Sequence, residues 1–412
     1  MTERRQRVPD VFDEAHRRCR AGESVALATV VATWHSAPQP PGATMLVAAD
    51  GTVTGSVSGG CVEADLYERA RRVLATGAPE LIRYGISDDD AYAVGLTCGG
   101  VLDVFVERVD PGALPGLDAV AAARRAAQPA AVVTCVAADA GGAPNDADNS
   151  PNNADNSPAD AGNSPGTQPT DPARRLGRRL VLTGGQRPIG SLGDDRLDDA
   201  ASADALGLLA AGHSGMLRYG YSGQRRGSGV SLFVTAYATP PRMIVFGAID
   251  FAGAVARIGA FLGYRVTVCD ARPVFTTVRR FPEADEVVVQ WPHRYLRTEV
   301  DAGRVDERTV VCVLTHDPRF DVPLLGLALR HPLAYVGAMG SRRTHDDRLK
   351  LLGEAGLTEA QLARLASPIG LDLGGRTPEE TAVSVAAQIV AARWGGTGRP
   401  LAALDGPIHR PG

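Results

Sequence analysis

The last third of the chain alternates short apolar runs with helical patterns. The apolar runs fall at 242–246, 265–270, 285–290, 309–315 and 334–339. Between them, apolar residues recur at the three- and four-residue spacing of a helix, as in 321–330 and 345–356. This alternation is typical of a parallel, doubly wound sheet. We therefore predict a Rossmann-like domain over residues 239–398, followed by a tail at 399–412.

The final helix of this domain has a clear start signal. Thr377 is in the N-cap position, Pro378 follows at the first helical position, and Glu380 completes a capping box. The residues expected on its buried face are Ala382, Val385, Ile389 and Val390.

The first part of the chain contains a degenerate repeat. The segment 55-GSVSGGCVEAD-65 is matched 135 residues later by 190-GSLGDDRLDDA-200, and 83-RYG-85 by 218-RYG-220. Strand-like runs before and after these segments match as well, at offsets of 105 and 128 residues. We predict a duplicated α+β domain, with a first copy at 1–110 and a degenerate second copy at 111–238. With the sheet domain, the fold class is α/β.

The change of offset locates an insertion at about 138–172 of the second copy. It contains ADNSP twice and AGNSP once, and it lacks aromatic and large aliphatic residues. Such a segment cannot bury enough apolar surface to offset the entropy of ordering. We predict a disordered surface loop.

The two copies differ where the first has glycine beside cysteine. Ser58, Gly59, Gly60 and Cys61 open a predicted helix, and the candidate residues of a second such turn are Cys98, Gly99 and Gly100. Glycines ahead of a helix allow backbone N–H groups to approach a phosphate. A thiolate in the first helical turn is favoured by the helix dipole and suits soft metals. The alternative is a small buried thiol, the interpretation we prefer for Cys135, Cys269 and Cys312 within apolar strands.

The sheet domain has an altered dinucleotide-binding turn, 247-GAIDFAG-253. Ile249 stands where the Rossmann pattern has its second glycine, and Asp250 puts a carboxylate at the same helix N-terminus. We therefore expect NAD(P) not to be the ligand, although Asp270 stands where a ribose-binding acid would be. At a later strand end, Gly340, Ser341 and Arg342 open a helix and are candidates to bind an anion; a plain N-cap at Ser341 is the alternative. Thr315, His316 and Asp317 follow another strand end and are further candidates; a plain loop residue is the alternative for His316.

Composition narrows the class of protein. The 412 residues carry a formal charge of −4 and a pI near 6.1, without the basic footprint of a nucleic-acid-binding protein. The N-terminus has no apolar signal region and no run reaches the length of a membrane span, so we expect a cytoplasmic protein. Six cysteines are spread thinly, which predicts reduced thiols and no structural zinc site.

At these residues the chain resembles the XdhC/CoxI family, accessory proteins for molybdenum hydroxylases such as xanthine and carbon monoxide dehydrogenases. The resemblance is carried by 36-SAPQPPGATMLV-47, 55-GSVSGGCVE-63, 95-GLTCGGVLDVFVE-107, 284-ADEVVVQWPH-293, 335-YVGAMGSRR-343 and 368-PIGLDLGGRTPEETAVSVAA-387. It implies a protein that binds molybdenum cofactor, as Mo-molybdopterin or its dinucleotide form, and inserts it after sulfuration into an apo molybdenum hydroxylase. A cysteine desulfurase and a second copy of the chain are further candidate partners.

These observations favour a cofactor chaperone without turnover. In this hypothesis the glycine-rich turns bind the pterin phosphate, and Cys61 or Cys98 lies near the dithiolene or the metal, with Cys61 as the candidate metal ligand. The alternative is an NAD(P)-dependent oxidoreductase that uses the sheet domain. A third hypothesis, a cysteine-based transfer enzyme, needs a base near Cys61, and His35 is the one histidine of the first copy beyond His16.

Overall fold

The protein is described by a computed structural model covering residues 10–34, 37, 39–85, 100–138, 172–225, 227 and 229–405. It divides into two compact units, one ending at Thr239 and the other beginning at Pro240. Of the predicted features, residues 139–171 of the insertion, Cys98, Gly99, His35 and the end of the tail lie outside the described residues. Among the described helices, none has the length and apolar character needed to cross a membrane.

The first unit consists of two copies of one series of elements. The first copy contains α1 (Val11–Arg20), β1 (Val25–Trp34), β2 (Thr44–Ala48), β3 (Val53–Gly55), α2 (Glu63–Thr76), β4 (Glu80–Tyr84) and β5 (Val101–Val109). The second contains α3 (Leu114–Arg125), β6 (Ala130–Ala138), β7 (Arg179–Thr183), β8 (Ile189–Gly190), α4 (Asp195–Ala211), β9 (Gly215–Tyr219) and β10 (Val230–Tyr237). Each copy forms a five-stranded antiparallel sheet, in the orders β3-β2-β1-β5-β4 and β8-β7-β6-β10-β9. Because the two orders correspond strand by strand, the sequence repeat is confirmed as a structural repeat.

The copies share a β-bulge as well as a strand order. Val31 is skipped where β1 pairs with β5, and Val136 is skipped where β6 pairs with β10. An extra residue on one strand of a pair bends that strand and redirects its side chains. The irregularity is thus part of the duplicated design.

One helix of each copy covers one face of its sheet. Leu66, Ala70 and Val73 of α2 pack on a face formed in part by Ala26 and Ala28 of β1. The equivalent residues of α4 on the second sheet are Leu197, Ala201, Ala205 and Leu209. Burial of apolar surface contributes about 25 cal/mol per Å², so these interfaces stabilise each copy.

The second unit is a parallel sheet with helices between its strands. Its elements are β11 (Arg242–Phe246), α5 (Asp250–Phe261), β12 (Arg265–Asp270), β13 (Glu286–Val289), α6 (Pro292–Asp301), β14 (Val310–Val313), α7 (Pro318–Ala328), β15 (Tyr335–Ala338), α8 (Arg342–Glu354), α9 (Glu359–Leu362), β16 (Leu365–Ala366) and α10 (Pro378–Trp394). The strand order is β13-β12-β11-β14-β15-β16, the doubly wound order of a Rossmann fold. The predicted fold class is confirmed. The two-residue strand β16 was not predicted, since it is too short to produce a pattern.

The last helix agrees with its sequence signals except at one position. The Glu380 amide donates to the Thr377 hydroxyl at 3.2 Å, and the capping box is complete. Three of the predicted face residues, Ala382, Val385 and Ile389, are buried. Val390 is 43% exposed, so its predicted burial is wrong. It follows Ile389 by one residue, about 100° around the helix, and this turns it away from the buried stripe.

The inserted segment joins two strands that pair directly, and we expect its deletion to leave the fold intact. Thr134 of β6 lies opposite Arg179 of β7, and the equivalent strands of the first copy are joined by residues 35–43 alone. Closing a flexible loop costs only about 0.6 kcal/mol more for each doubling of its length. A variant lacking residues 140–170 should therefore melt no lower than the parent, as measured by circular dichroism. A lower melting temperature or aggregation would show that the segment contributes to the fold.

Candidate functional site: the glycine–cysteine turn

The site begins at a glycine that both copies need. Gly55 ends β3 with a φ of 85°, and a Cβ there would lie 2.2 Å from the carbonyl oxygen of Thr44. Gly190 is its equivalent, with a φ of 90° and a Cβ position 2.3 Å from the Arg179 carbonyl oxygen. Since no side chain fits at either position, this glycine belongs to the shared scaffold.

The turn that follows is organised around the carboxylate of Glu63, the first residue of α2. The backbone N–H groups of Ser58, Gly59 and Gly60 donate to it at 2.9, 3.0 and 2.9 Å. Those of Val57 and Val62 donate at 3.3 and 3.2 Å. A carboxylate that accepts this many amides occupies the kind of anion-binding concavity that elsewhere binds phosphate.

Two hydroxyl groups complete this shell. Ser56 donates to Glu63 at 2.6 Å, and Ser58 donates to the other carboxylate oxygen. Ser58 is buried, and its hydroxyl also accepts the amides of Cys61 at 3.0 Å and Val62 at 3.1 Å. Its hydrogen-bonding capacity is therefore used within the turn.

The Glu63 carboxylate is ionised at neutral pH. Burial raises its pKa, but hydrogen bonds from Ser56, from Ser58 and from the backbone outweigh that effect and bring the pKa to about 2. The backbone amides that were predicted to bind phosphate thus already donate to a carboxylate of the chain itself. A phosphate at this turn has to take the place of Glu63.

Gly59 and Gly60 present the outer surface of the turn. Both are exposed, with φ values of 77° and 121°. A Cβ at either position would meet nothing within 4 Å, so these glycines are needed for backbone conformation and not for space. A ligand can approach the backbone there without a steric obstacle.

Cys61 differs from the cysteines in the strands. It is half-buried beside the exposed Gly60 and contacts the apolar core under α2. Among the strand cysteines, burial raises the pKa of the Cys135 thiol to about 11 and those of Cys269 and Cys312 to about 12. These three are buried, as predicted. Cys61 is the most accessible thiol of the described residues.

The second copy has the same turn without these features. Asp198 stands at the position of Glu63, and its carboxylate accepts one amide, that of Leu192, at 2.7 Å. Asp194 stands at the position of Gly59, caps α4 and accepts the Leu197 amide at 3.0 Å. Arg196 replaces Cys61. The second turn is an ordinary capped helix start.

Gly100 and the strand-end residues of the second unit complete the predicted set. Gly100 is buried directly before β5. Ser341 is the N-cap of α8 and accepts the Thr344 amide at 3.1 Å, so the capping interpretation is confirmed. Gly340 precedes it with a φ of 157°, and Arg342 is exposed in the first turn of the helix.

The residues around the altered dinucleotide-binding turn, 247–253, form hydrogen bonds and ion pairs with one another. Asp270 accepts the Ala248 amide at 2.7 Å and forms an ion pair with Arg272 at 2.7 Å. Burial raises the pKa of Asp270, but these partners outweigh it and hold the pKa below its ordinary value. Asp250 forms an exposed ion pair with Arg280 at 3.0 Å, and Ile249 packs against the hydrophobic core. The carboxylate expected for a ribose is therefore engaged, and the absence of NAD(P) binding stays a prediction.

The candidates after β14 also have internal partners. The Thr315 hydroxyl donates to the buried carboxylate of Asp321. Asp317 caps α7 by accepting the Arg319 amide at 2.9 Å, while His316 is exposed. Asp317 is thus a helix cap.

Glu63 is the residue that sequence reasoning missed. It lies within 55-GSVSGGCVE-63, but the comparison of the two copies assigned it no role. Its spacing gave no capping-box signal, because Glu63 follows Ser58 by five residues whereas the acid of a capping box follows its Ser or Thr by three. Within the described residues, no cluster of three or more His, Cys, Asp or Glu side chains forms a metal site. A role of Cys61 as a metal ligand therefore stays a prediction.

Comparison with known proteins extends over both units. A model described as the XdhC and CoxI family matches residues 18–85 and 169–220, one segment in each copy of the repeat. A model described as the XdhC Rossmann domain matches residues 243–389.

Two relatives and one solved structure match along most of the chain. A protein of Bacillus subtilis strain 168, named as a probable xanthine dehydrogenase component, is 25% identical over 373 residues, 90% of this chain and 94% of the relative. The molybdenum cofactor insertion chaperone PaoD of Escherichia coli strain K12 is 24% identical over 373 residues, 90% of this chain and 85% of that protein. A crystal structure of a xanthine dehydrogenase from Bacillus halodurans has a TM-score of 0.60 at 21% identity, covers 95% of this chain and 97% of its own, and shows the same fold. Because the two family models match both copies of the repeat and the parallel-sheet unit, the chain belongs to the XdhC and CoxI family.

Proposed function

We propose that this protein takes part in the maturation of a molybdenum hydroxylase by carrying molybdenum cofactor and inserting it into the apo-enzyme. The cofactor is its cargo, and the chain acts as a chaperone without turnover. Support comes from the relative named as an insertion chaperone, whose similarity covers 90% of this chain. The finer steps of the proposal are protection of the cofactor and assistance in its sulfuration, with sulfur supplied by a cysteine desulfurase.

The observation that carries the proposal is the difference between the two turns. Glu63 fixes the backbone of the first turn through five amides, and this fixed backbone presents two exposed glycines and one half-buried thiol. The second turn, on the same scaffold, has aspartate and arginine instead. A scaffold alone does not require this difference, so we assign it to cargo binding.

In this proposal each feature of the turn has a separate task. The Cys61 sulfur is the soft donor that lies against the metal or the dithiolene. Gly59 and Gly60 allow a ligand to approach the backbone, and Ser58 with Glu63 holds the loop in shape. Cys98, Gly99 and Gly100 belong to the same proposed site by sequence. In the second unit, the N-terminus of α8 at Gly340, Ser341 and Arg342 is proposed to bind a phosphate of the cargo.

The test is cofactor retention by protein purified from a molybdenum-replete host. Cys61→Ser keeps the size and polarity of the side chain but removes the soft donor. We expect it to leave the melting temperature unchanged and to reduce bound pterin and molybdenum at least about tenfold, since one metal–thiolate contact is lost. Pterin is measured by fluorescence after oxidation and molybdenum by mass spectrometry, both per mole of chain.

The second copy supplies the matched control. Arg196→Cys places a thiol at the equivalent position on the same scaffold, and we expect no additional cofactor, because that turn lacks the two glycines and the Glu63 shell. Activation of an apo-hydroxylase should follow the retained cofactor across the parent and both variants. If Cys61→Ser retains and delivers cofactor like the parent, the thiol is structural and this assignment is wrong.

A further inference from the structure

A cavity of about 520 Å³ lies within the first unit, between its two sheets. Leu27 and Thr29 of β1 line it, whereas the alternate residues Ala26 and Ala28 pack under α2. Because successive side chains of a strand point to opposite faces, the cavity is on the face of the first sheet opposite the glycine–cysteine turn. What it binds is therefore a separate question from the proposed function.

The two copies contribute equivalent positions to the walls. The equivalent pairs are Leu27 with Val132, Thr29 with Thr134, Phe105 with Phe233, and Val109 with Tyr237. The bulge residues Val31 and Val136 pack with the two phenylalanines between the sheets. The cavity is thus a product of the duplication, with the shared bulges shaping both of its walls.

At two pairs of equivalent positions, one copy has a charged residue where the other has threonine, and the two charged residues form an ion pair. Arg179 of the second copy stands where the first has Thr44, and Glu107 of the first stands where the second has Thr235. The Arg179 guanidinium lies 2.7 Å from the Glu107 carboxylate, and Glu107 is only 8% exposed. The lining therefore contains a self-neutralised charged pair as well as threonine hydroxyls.

The charges of the lining are all balanced. Of the described residues that line the cavity, Asp10, Glu107 and Arg179 carry charge. Asp10 caps α1 and forms an ion pair with Arg124. A charged ligand would find no unpaired counter-charge among these residues and would lose its hydration, which is costly in an apolar site. The chemistry of the walls thus selects against ions.

The size and the mixed surface select for a small organic molecule. Ligand sites commonly have volumes of about 300–1,000 Å³, with apolar walls and a few polar groups that set orientation. Here the apolar walls come from both copies, and hydroxyls come from Thr29, Thr44 and Thr235, of which the first two lie 3.4 Å apart. We propose that this cavity binds an uncharged, mainly apolar small molecule that has a hydrogen-bonding group.

The test uses N-phenyl-1-naphthylamine, an uncharged aromatic amine whose fluorescence rises in apolar surroundings, titrated into the full chain. We expect saturable binding of one molecule per chain. Val132→Phe extends a ring from the half-buried wall into the cavity and should weaken binding at least about tenfold, because it removes space that the ligand occupies. Val289→Phe, the same change at a 51% exposed valine of the second unit, should leave binding unchanged.

A second variant tests the threonine hydroxyls, and its result does not depend on whether the fold accepts phenylalanine at position 132. Thr235→Val is nearly isosteric and should weaken binding of the amine a few-fold with an unchanged melting temperature, since a hydrogen-bonding group is lost. Absence of a fluorescence increase with the parent would overturn the proposal. So would an affinity that is the same for the parent, Thr235→Val and Val132→Phe, because the dye would then bind elsewhere.

Discussion

Replacing Arg348 by methionine should destabilise the second unit by about 3–5 kcal/mol, the usual cost of removing one partner of a buried ion pair. Arg348 and Asp321 are each 3% exposed, and their side chains meet at 2.9 Å between α8 and α7. The same guanidinium donates to the Met339 carbonyl at 3.0 Å and to the Ser367 hydroxyl at 2.9 Å. Methionine fills the space but leaves the Asp321 carboxylate buried, with the Thr315 hydroxyl still donating to it but no positive charge beside it.

The measurement is denaturant unfolding followed by tryptophan fluorescence. The chain has tryptophans at 34, 291 and 394, so a Trp34→Phe background reports on the second unit alone. The double variant Asp321→Leu, Arg348→Met removes both charges and should recover most of the loss, because a buried ion pair can often be replaced by apolar residues of similar volume. A single variant as stable as the parent would show that the pair contributes little.

The loss of folding stability in Arg348→Met should also depend on pH. Burial raises the pKa of Asp321, and Thr315 and Arg348 offset only part of that effect. Without Arg348 the pKa rises further, so the folded state binds a proton more readily than the unfolded state does. Stability of the single variant should therefore improve as the pH falls towards the ordinary aspartate range, and decline as the pH rises through the raised pKa. The double variant should not show this dependence.

The fold was predictable because its signals are local and repeated. Apolar runs separated by helical spacing placed five strands of the second unit, and matched offsets placed both copies of the first. What pattern alone did not give is the pairing of elements distant in sequence. The ion pair of Arg179 with Glu107 joins β7 to β5 across the two copies, and no local spacing brings those residues together.

The site was predictable in location and not in its hydrogen bonding. Comparison of the copies indicated Gly59, Gly60 and Cys61, and all three are at least partly accessible. The sequence did not show that Glu63 would reach back to accept the amides of this turn, because the direction of a side chain depends on the backbone conformation it meets. Ser58 was likewise predicted to bind a ligand, whereas its hydroxyl is engaged by the Cys61 and Val62 amides and by Glu63.

Glu63→Gln should destabilise the first unit by about 1–3 kcal/mol and loosen the glycine–cysteine turn. The carboxylate accepts five amides and two hydroxyls with two equivalent oxygens. Glutamine has one oxygen, and its NH₂ group would face donors that already point at it. The unfolding of this unit is followed by Trp34 fluorescence in a background with Trp291 and Trp394 changed to phenylalanine.

The pH dependence gives an independent check on the same carboxylate. The pKa of Glu63 is lowered from 4.5 to about 2, so the folded state favours the ionised form. Its contribution is therefore present above the unfolded pKa and is lost as the pH falls from about 4.5 to about 2. The shift corresponds to at most about 3 kcal/mol, and partial exposure of the turn to water reduces this to about 1–2 kcal/mol. The Glu63→Gln variant should lack this component of acid sensitivity.

The second copy again supplies the control for the stability measurement. Asp198→Asn removes a carboxylate that accepts the single Leu192 amide and should cost about 1 kcal/mol or less of folding stability.

Glu63→Ala leaves the five amides directed at an empty concavity. A ligand that binds only the folded state stabilises it, so inorganic phosphate should raise the melting temperature of Glu63→Ala more than that of the parent or of Asp198→Ala. If phosphate stabilises the parent equally, the amides accept an anion with Glu63 in place. If it stabilises none of the three, the concavity is specific for the side chain, and the cofactor phosphate must be bound elsewhere.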